Sequence, residues 1–319
     1  MSTTPTWSPS PVPLSTGRAD ISIVVPVHDD RCNLARCLEA LAAHRHELIV
    51  VDSGSRDGSP ELVRSRFPSA RCVALGANRG YAAAANAGLE LASGRYVLLL
   101  NSDARPIGDA VERLVALAEA RPDVGVAGPR LVNPDGTLQR SVRGFPTLWR
   151  LATEFLFLRK LAPKSRALNA FYGAGFDHGT PADCDFLKGA ALLLRREALD
   201  EVGVLDEAFF VFSEDVDLCY RMRAAGWKVA FVPDAVFVHV GGTSTRPRWD
   251  RMYREQLRGH LVFFAKHHGL RRAERARRIM LAGLVVRVLL FGRERRPIYR
   301  AAAAWLASND VPTLLRPLT

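Results

Sequence analysis

The chain has 319 residues, 48% hydrophobic and 24% charged; it is long enough to bury a full α/β core with an appendage, and its composition excludes wholesale disorder and a polytopic membrane protein. Its net charge of +11 is confined to one segment: residues 246–300 carry 16 basic and 4 acidic side chains, against 28 and 29 in all the rest. A basic surface so localised implies a polyanionic neighbour for that segment, an anionic membrane or nucleic acid.

Residues 1–18 are rich in Pro, Ser and Thr, with no apolar core of signal-peptide length, which predicts a disordered tail with no export role. Ile21–Val25 is a β-rich run stopped by Pro26, followed by a helix over about 33–43. Leu48–Val51 predicts a second buried strand with Asp52 at its carboxyl end, and the Gly/Ser/Asp loop through Ser59 feeds a helix near 61–67. A weaker strand near 71–75 precedes GANRGYAAAANAG, a loop entering a helix of small residues that can lie close to the sheet and to a ligand. In RYVLLLNSD, residues 95–103, five apolar residues turn into a polar elbow. The run is too short for a globular helix and reads as a strand buried on both faces. A helix around 110–119 and a strand at 124–128 follow. This alternation implies right-handed crossovers and a doubly wound, mostly parallel sheet.

From Pro129 the rhythm breaks, and an insertion containing LWRLATEFLFLRKLAP, an apolar-basic amphipathic stretch, is expected near where an acceptor would enter. DFLKGAALLLRREALDEVG restores a strand and a helix; FFVFSEDVDLCYRMRAAGW gives a polar elbow and a helix over about 216–225, before two short strands. The remainder is helical and basic. Its apolar run Ile279–Phe291 is too short for a bilayer, which needs about 20 residues; flanked by RRAERARR and GRERR, it reads either as an amphipathic helix in an anionic interface or as a helix packed on the rest of the protein. Nucleic acid is disfavoured, because interleaved aromatics and a recognisable motif are missing. Five cysteines, odd in number and without CxxC or Cys/His spacing, read as reduced thiols of a cytosolic protein.

Ligands of open α/β sheets bind beyond the carboxyl ends of the strands. Asp52, Asn101/Asp103 and Glu214/Asp215 all fall at ends of predicted elements. Asp103 and Asp215 have a plainer reading as helix caps, and the nearby Asp57 and Asp206 one as turn residues.

Taken in order, VVPVHDD, VVDSGSRDG, NRGYAAAANAG, LLLNSDA, GAALLLRRE, FSEDVDLCYRMRAAGW and the later His239 resemble glycosyltransferase family 2, and within it bacterial rhamnosyltransferase-like members of cell-wall and polysaccharide assembly. The resemblance spans about residues 21–244. It implies a GT-A fold, a Rossmann-like nucleotide-binding half joined to an acceptor half over residues 19–245, with 246–319 as a basic helical extension. It implies a donor site made by Pro26, Val27, Asp52, Ser53, Arg79, Gly80, Asn86, Asn101, Ser102, Asp103 and Gly189. Asn101-Ser102-Asp103 takes the D-x-D position, with Asn101 replacing the first acid; Asp103 and His239 would hold Mg²⁺ or Mn²⁺. Glu214-Asp215 matches the ED motif, with Asp215 as catalytic base, and Arg79 and Lys188 are available to phosphate. A plainer reading leaves His239 a satisfied core histidine.

The activity so implied is inverting transfer of a sugar, L-rhamnose among the candidates, from a dTDP- or UDP-linked donor to a lipid-linked or polysaccharide acceptor, at the cytoplasmic face of the cell membrane. The alternative is a catalytically inactive nucleotide- or glycan-binding protein of the same fold. A dinucleotide-dependent oxidoreductase would need GxGxxG after the first strand, where this chain has VVPVHDD.

Overall fold

The computed structural model describes residues 21–42, 46–162, 165–169, 171, 173, 176–242 and 249–318. The tail expected over 1–18 lies outside them.

The amino-terminal half alternates as its hydrophobic periodicity requires: β1 (Ile21–Val27), α1 (Arg31–Leu41), β2 (Glu47–Asp52), α2 (Ser59–Arg66), β3 (Arg71–Ala74), α3 (Tyr81–Leu91), β4 (Tyr96–Leu100), a short β5 (Ala104–Pro106), α4 (Ala110–Ala120) and β6 (Val124–Val132). α1 buries Leu34, Cys37, Leu38 and Leu41, the spacing of one helical face. α3 is built of small residues because it lies directly on the sheet: a Cβ at Gly88 would collide with the Val24 side chain.

The chain then forms β7 (Leu138–Gln139), β8 (Val142–Arg143), α5 (Leu148–Phe155), α6 (Arg166–Asn169), β9 (Ala182–Asp183), β10 (Phe186–Leu187), β11 (Ala191–Arg195), α7 (Arg196–Val202), α8 (Glu214–Ala224) and β12 (Lys228–His239). Four further helices end it: α9 (Trp249–His268), α10 (Leu270–Leu290), α11 (Arg296–Ser308) and α12 (Val311–Leu314).

The main sheet runs β3-β2-β1-β4-β11-β6-β12-β5, with β7 on β6 and β9 on β12. β3, β2, β1 and β4 are parallel, whereas β11 is antiparallel to both β4 and β6. The sheet is doubly wound: α1, α2 and α4 cover one face and α3, α7 and α8 the other. Its mostly parallel core with a helical carboxyl-terminal region is the architecture expected from the motif order.

Two local expectations are corrected. The two short strands before His239 are a single strand, β12, with a register shift between Val232 and Val236; Pro233 within it lacks an N–H to give the ladder. Asp103 does not cap a helix, since β5 intervenes and α4 begins at Ala110. The apolar run 279–291, for which both an interfacial and a packed helix were open, forms the second half of α10 with Phe291 just past its end, and Met280, Gly283, Leu284 and Arg287 are buried in it. Arg287 donates to the carbonyl of Phe155 (2.6 Å) and lies over the rings of Phe155 and Phe157, which fastens α10 to α5. α5, α9, α10, α11 and α12 share one apolar cluster of their own.

Candidate active site

Because β11 runs antiparallel to β4, its amino end lies beside the carboxyl end of β4. The two are joined there by Asn101 N–H donating to the Ala190 carbonyl (3.0 Å). This brings the 188–190 turn against the NSD elbow, which no local sequence pattern specifies. A cavity of about 400 Å³ opens at this point, within the range of small-molecule sites.

Pro26, Val27, Ser53, Gly80, Asn101, Ser102, Asp103, Gly189, Glu214, Asp215 and His239 line the cavity. Three other expected donor residues stand off its wall. Asp52 accepts from the N–H groups of Gly54 and Ser55 and so shapes its own loop. Asn86 clamps α3 to the chain at Leu205, donating to its carbonyl (2.9 Å) and accepting from its N–H (3.1 Å). Arg79 is exposed and 3.5 Å from Glu207. Asp57 and Asp206 do turn work, accepting from Ser59 and Ala208 N–H respectively, and Asp206 also pairs with Lys266.

Asp215 sits in the first turn of α8, behind Phe212 and Ser213, two consecutive non-glycine residues in the left-handed region (φ 68° and 72°). Each such residue costs on the order of 1–3 kcal/mol, held here by surrounding contacts: Tyr81 N–H donates to the Phe210 carbonyl (2.7 Å), and Gly259 of α9 lets that helix rest on Phe212 and Ser213. The elbow aims Asp215 at the 188–190 turn, where Gly189 N–H donates to its Oδ2 (2.8 Å) and Val216 N–H to its Oδ1 (2.8 Å). Burial raises the Asp215 carboxyl, and these two N–H bonds with the Arg143 and Lys188 charges oppose the rise. Glu214 has less support, a single bond from its own backbone N–H. It is buried, its Oε2 lacks a hydrogen-bond partner, and burial with the Asp215 charge pushes it up to about 8. Of two adjacent carboxyls, Glu214 is the one pushed up to about 8, while Asp215 has the N–H bonds and positive neighbours that favour its charged form.

Across the cavity, Asp103 Oδ1 and His239 Nε2 are 3.3 Å apart, both side chains nearly buried. Asp103 Oδ2 accepts from Gly241 N–H (3.0 Å). Gln139, which the sequence reading passed over, sets the tautomer of His239. Its amide nitrogen faces two carbonyl oxygens, of the Asn133 side chain (2.9 Å) and the His239 backbone (3.3 Å), so its Oε1 faces His239 Nδ1 at 2.6 Å and accepts from Lys188 Nζ at 3.0 Å. An oxygen only accepts; Nδ1 therefore carries a hydrogen, which leaves Nε2, beside the Asp103 carboxylate, as the nitrogen that would face a cation. The Asn101 Oδ1 nearby is buried without a hydrogen-bond partner. Among the described residues no three His, Cys, Asp or Glu side chains form a closed cage; two donors are what a Mg²⁺ site completed by substrate phosphates uses. These residues fit a divalent cation.

Arg143, Lys188 and His260 also line the cavity without having been assigned to it from sequence, apart from the availability of Lys188 to phosphate. Burial and the Arg143 charge push Lys188 down from its ordinary value, and push His260 down to about 4. His260, Met252 and Gln256 come from α9, so the basic carboxyl-terminal segment forms part of the cavity wall. Only the tertiary packing of α9 places it there.

The family model described as glycosyl transferase family 2 matches residues 22–203, and that of glycosyl transferase family 21 matches residues 178–271. The chain is 31% identical over 209 residues to an N-acetylglucosaminyl-diphospho-decaprenol L-rhamnosyltransferase of Mycobacterium tuberculosis, covering 62% of this chain and 67% of the relative. It is 28% identical over 245 residues to an O-antigen biosynthesis protein of Myxococcus xanthus, covering 72% of this chain but 18% of that one. Among solved structures, a mannosyltransferase of Pyrobaculum calidifontis in complex with GDP-Man and Mn²⁺ superposes with a TM-score of 0.53 at 18% identity, over 94% of this chain and 86% of that one. S. aureus TarS 1–349 in complex with UDP-GlcNAc does so with 0.53 at 16% identity, over 90% and 80%. The likeness to these structures establishes the shared GT-A fold, and the family match together with the Mycobacterium relative establishes that the chain belongs to glycosyl transferase family 2.

Proposed function

We propose that the protein is an inverting glycosyltransferase that moves a sugar, of the L-rhamnose type, from a dTDP- or UDP-linked donor to a hydroxyl of a lipid-linked or polysaccharide acceptor. The observation that carries this is the pairing, across one cavity, of Asp215, anchored by Gly189 N–H, with the Asp103–His239 pair. The relatives support the substrate classes: the Mycobacterium protein is named for rhamnosyl transfer to a diphospho-decaprenol acceptor, and the superposed structures hold nucleotide sugars.

In this reading Pro26, Val27 and Ser53 border the nucleotide, with Gly80, Ser102 and Asn101 beside them. Asp52, Arg79 and Asn86 act one step back, by holding the loops and α3 in place. Asp103 and His239 would hold Mg²⁺ or Mn²⁺, which supplies charge neutralisation for the departing diphosphate. Lys188 and Arg143 add positive charge on the same side. Asp215 takes the proton of the acceptor hydroxyl as that oxygen attacks the anomeric carbon opposite the leaving diphosphate, which inverts the centre. Glu214 keeps its proton and spares Asp215 a second adjacent charge. Residues 19–245 form the catalytic unit, and α9 of the 246–319 extension closes one wall of its cavity.

The protein works at an anionic membrane surface. Among the described residues no helix is long and apolar enough to cross a bilayer, but α10 exposes a stripe that is basic in its first half, Arg271, Arg275 and Arg278, and apolar in its second, Val285 and Leu289. Each basic residue close to an anionic leaflet contributes about 1 kcal/mol.

Asp215→Asn tests the transfer reading. Turnover is expected to fall by about 10²–10⁴-fold with donor affinity retained, since a base acts on the acceptor proton. Retention of more than about a tenth of wild-type turnover removes Asp215 from that role.

A further inference from the structure

A second cavity, of about 310 Å³, adjoins β7: Leu138 and Arg140, the sequence neighbours of Gln139, line it with Arg130, Phe176, Asp177 and His178. His178 is 8% exposed, its ring edge-on to Phe176 and Phe231 at 5.1 and 5.4 Å. Its Nδ1 stands 3.1 Å from the Phe176 carbonyl oxygen, which can only accept, so Nδ1 carries the hydrogen and Nε2 presents a lone pair. That Nε2 is buried without a hydrogen-bond partner, and so is Arg130 Nε. One unmatched acceptor and one unmatched donor thus belong to the same cavity, where a polar group left unpaired is costly to bury.

The charges point to the ligand. Among the described residues no carboxylate pairs with Arg130 or Arg140. Asp177, the acid at the rim, is turned into its own turn: Gly179 N–H donates to its Oδ1 (2.8 Å) and the Thr180 hydroxyl to its Oδ2 (3.0 Å). Burial, with the Arg140 and Arg130 charges, pushes the His178 imidazole down, which keeps it neutral and accepting at neutral pH.

We propose that this cavity binds a phosphate group that still carries one hydrogen, either inorganic phosphate as its monohydrogen dianion or a phosphate monoester as its monoanion. Its anionic oxygens take N–H bonds from Arg130 and Arg140, and its hydroxyl gives a hydrogen to His178 Nε2. Guanidinium groups match phosphate oxygens in geometry and charge, and the hydroxyl hydrogen is what an anion such as sulfate lacks. The site is separate from the cavity of Asp215 and does not depend on the transfer reading, although Gln139 places the two within one residue of each other on β7.

The test uses the full chain labelled with ¹⁵N-histidine, its first cavity already saturated with UDP and Mg²⁺, and follows the His178 imidazole by NMR while inorganic phosphate is added. The resonance is identified by its loss in His178→Asn. Phosphate is expected to move it saturably, and Arg140→Gln, a change at an exposed position, to weaken that affinity about tenfold or more. Sulfate is expected to bind about tenfold or more weakly than phosphate, for want of the hydrogen. A monoalkyl phosphate separates the sources: tighter binding than inorganic phosphate assigns the site to a phosphorylated lipid, equal binding to a soluble phosphate. A His178 signal unmoved by phosphate, sulfate binding equal to phosphate, or an Arg140→Gln variant of unchanged affinity overturns the assignment.

Discussion

Replacing Glu214 by Gln removes a carboxyl that the fold keeps protonated. In the folded chain burial and the neighbouring Asp215 charge push it from 4.5 up to about 8, whereas in the unfolded chain nothing does. A group whose pKa is raised on folding leaves stability intact below its unfolded value, and stability is lost as pH rises toward the folded one. At about 1.4 kcal/mol per unit, wild type should lose about 2 kcal/mol through this one group between about pH 5 and about pH 7. Glu214→Gln loses nothing through it. Urea unfolding of both proteins at the two pH values gives the difference, because every titrating group except the neighbouring Asp215 keeps the same surroundings in both. The variant should gain on wild type by about 2 kcal/mol as the pH is raised. A difference that stays within about 0.5 kcal/mol across that interval would refute the protonated-Glu214 argument, and with it the division of labour between the two carboxyls.

Four other outcomes follow from particular contacts. Gln139→Leu frees the His239 Nδ1 hydrogen and should weaken Mn²⁺ binding by about 10–100-fold, read by electron paramagnetic resonance without any turnover; unchanged affinity would return His239 to the satisfied core histidine. A Cβ at Gly189 would stand 3.2 Å from Asp215 Cβ and 3.3 Å from its Oδ2, so Gly189→Ala should displace the base and lower turnover about tenfold or more while donor affinity holds. Arg287→Met strips the bonds to the Phe155 and Gly283 carbonyls and the cover over two rings, and should cost about 3 kcal/mol of stability by denaturant melts. Leu289→Glu with Val285→Glu, both on the exposed stripe of α10, should abolish co-sedimentation with anionic vesicles, which high salt also releases; equal sedimentation of wild type with neutral vesicles would defeat the membrane reading. Point changes serve better here than deleting the chain after Gly269, because Met280 and Leu284 are in the core.

The sequence by itself determined the elements and their order. Five apolar residues ending in Asn-Ser-Asp must be a covered strand with a polar end, and a small-residue helix must lie against something flat, because both follow from local composition and period. The order of the motifs then named the family and pointed to Asp103, Asp215 and His239. What it could not decide was which ends meet. That β11 enters antiparallel, setting Gly189 against Asp215, depends on pairing between strands about ninety residues apart in sequence. Gln139 carries no signal in its own stretch, since a lone glutamine gains its role only from His239 on β12 a hundred residues later. Asp52, Asn86 and Arg79 look like binding residues in a motif, yet their neighbours in space take their hydrogen bonds. The basic tail shows the same limit: its charge was legible, but only packing decided that one face of α9 walls the cavity, that Arg287 is buried, and that a single stripe of α10 is left to meet anything else.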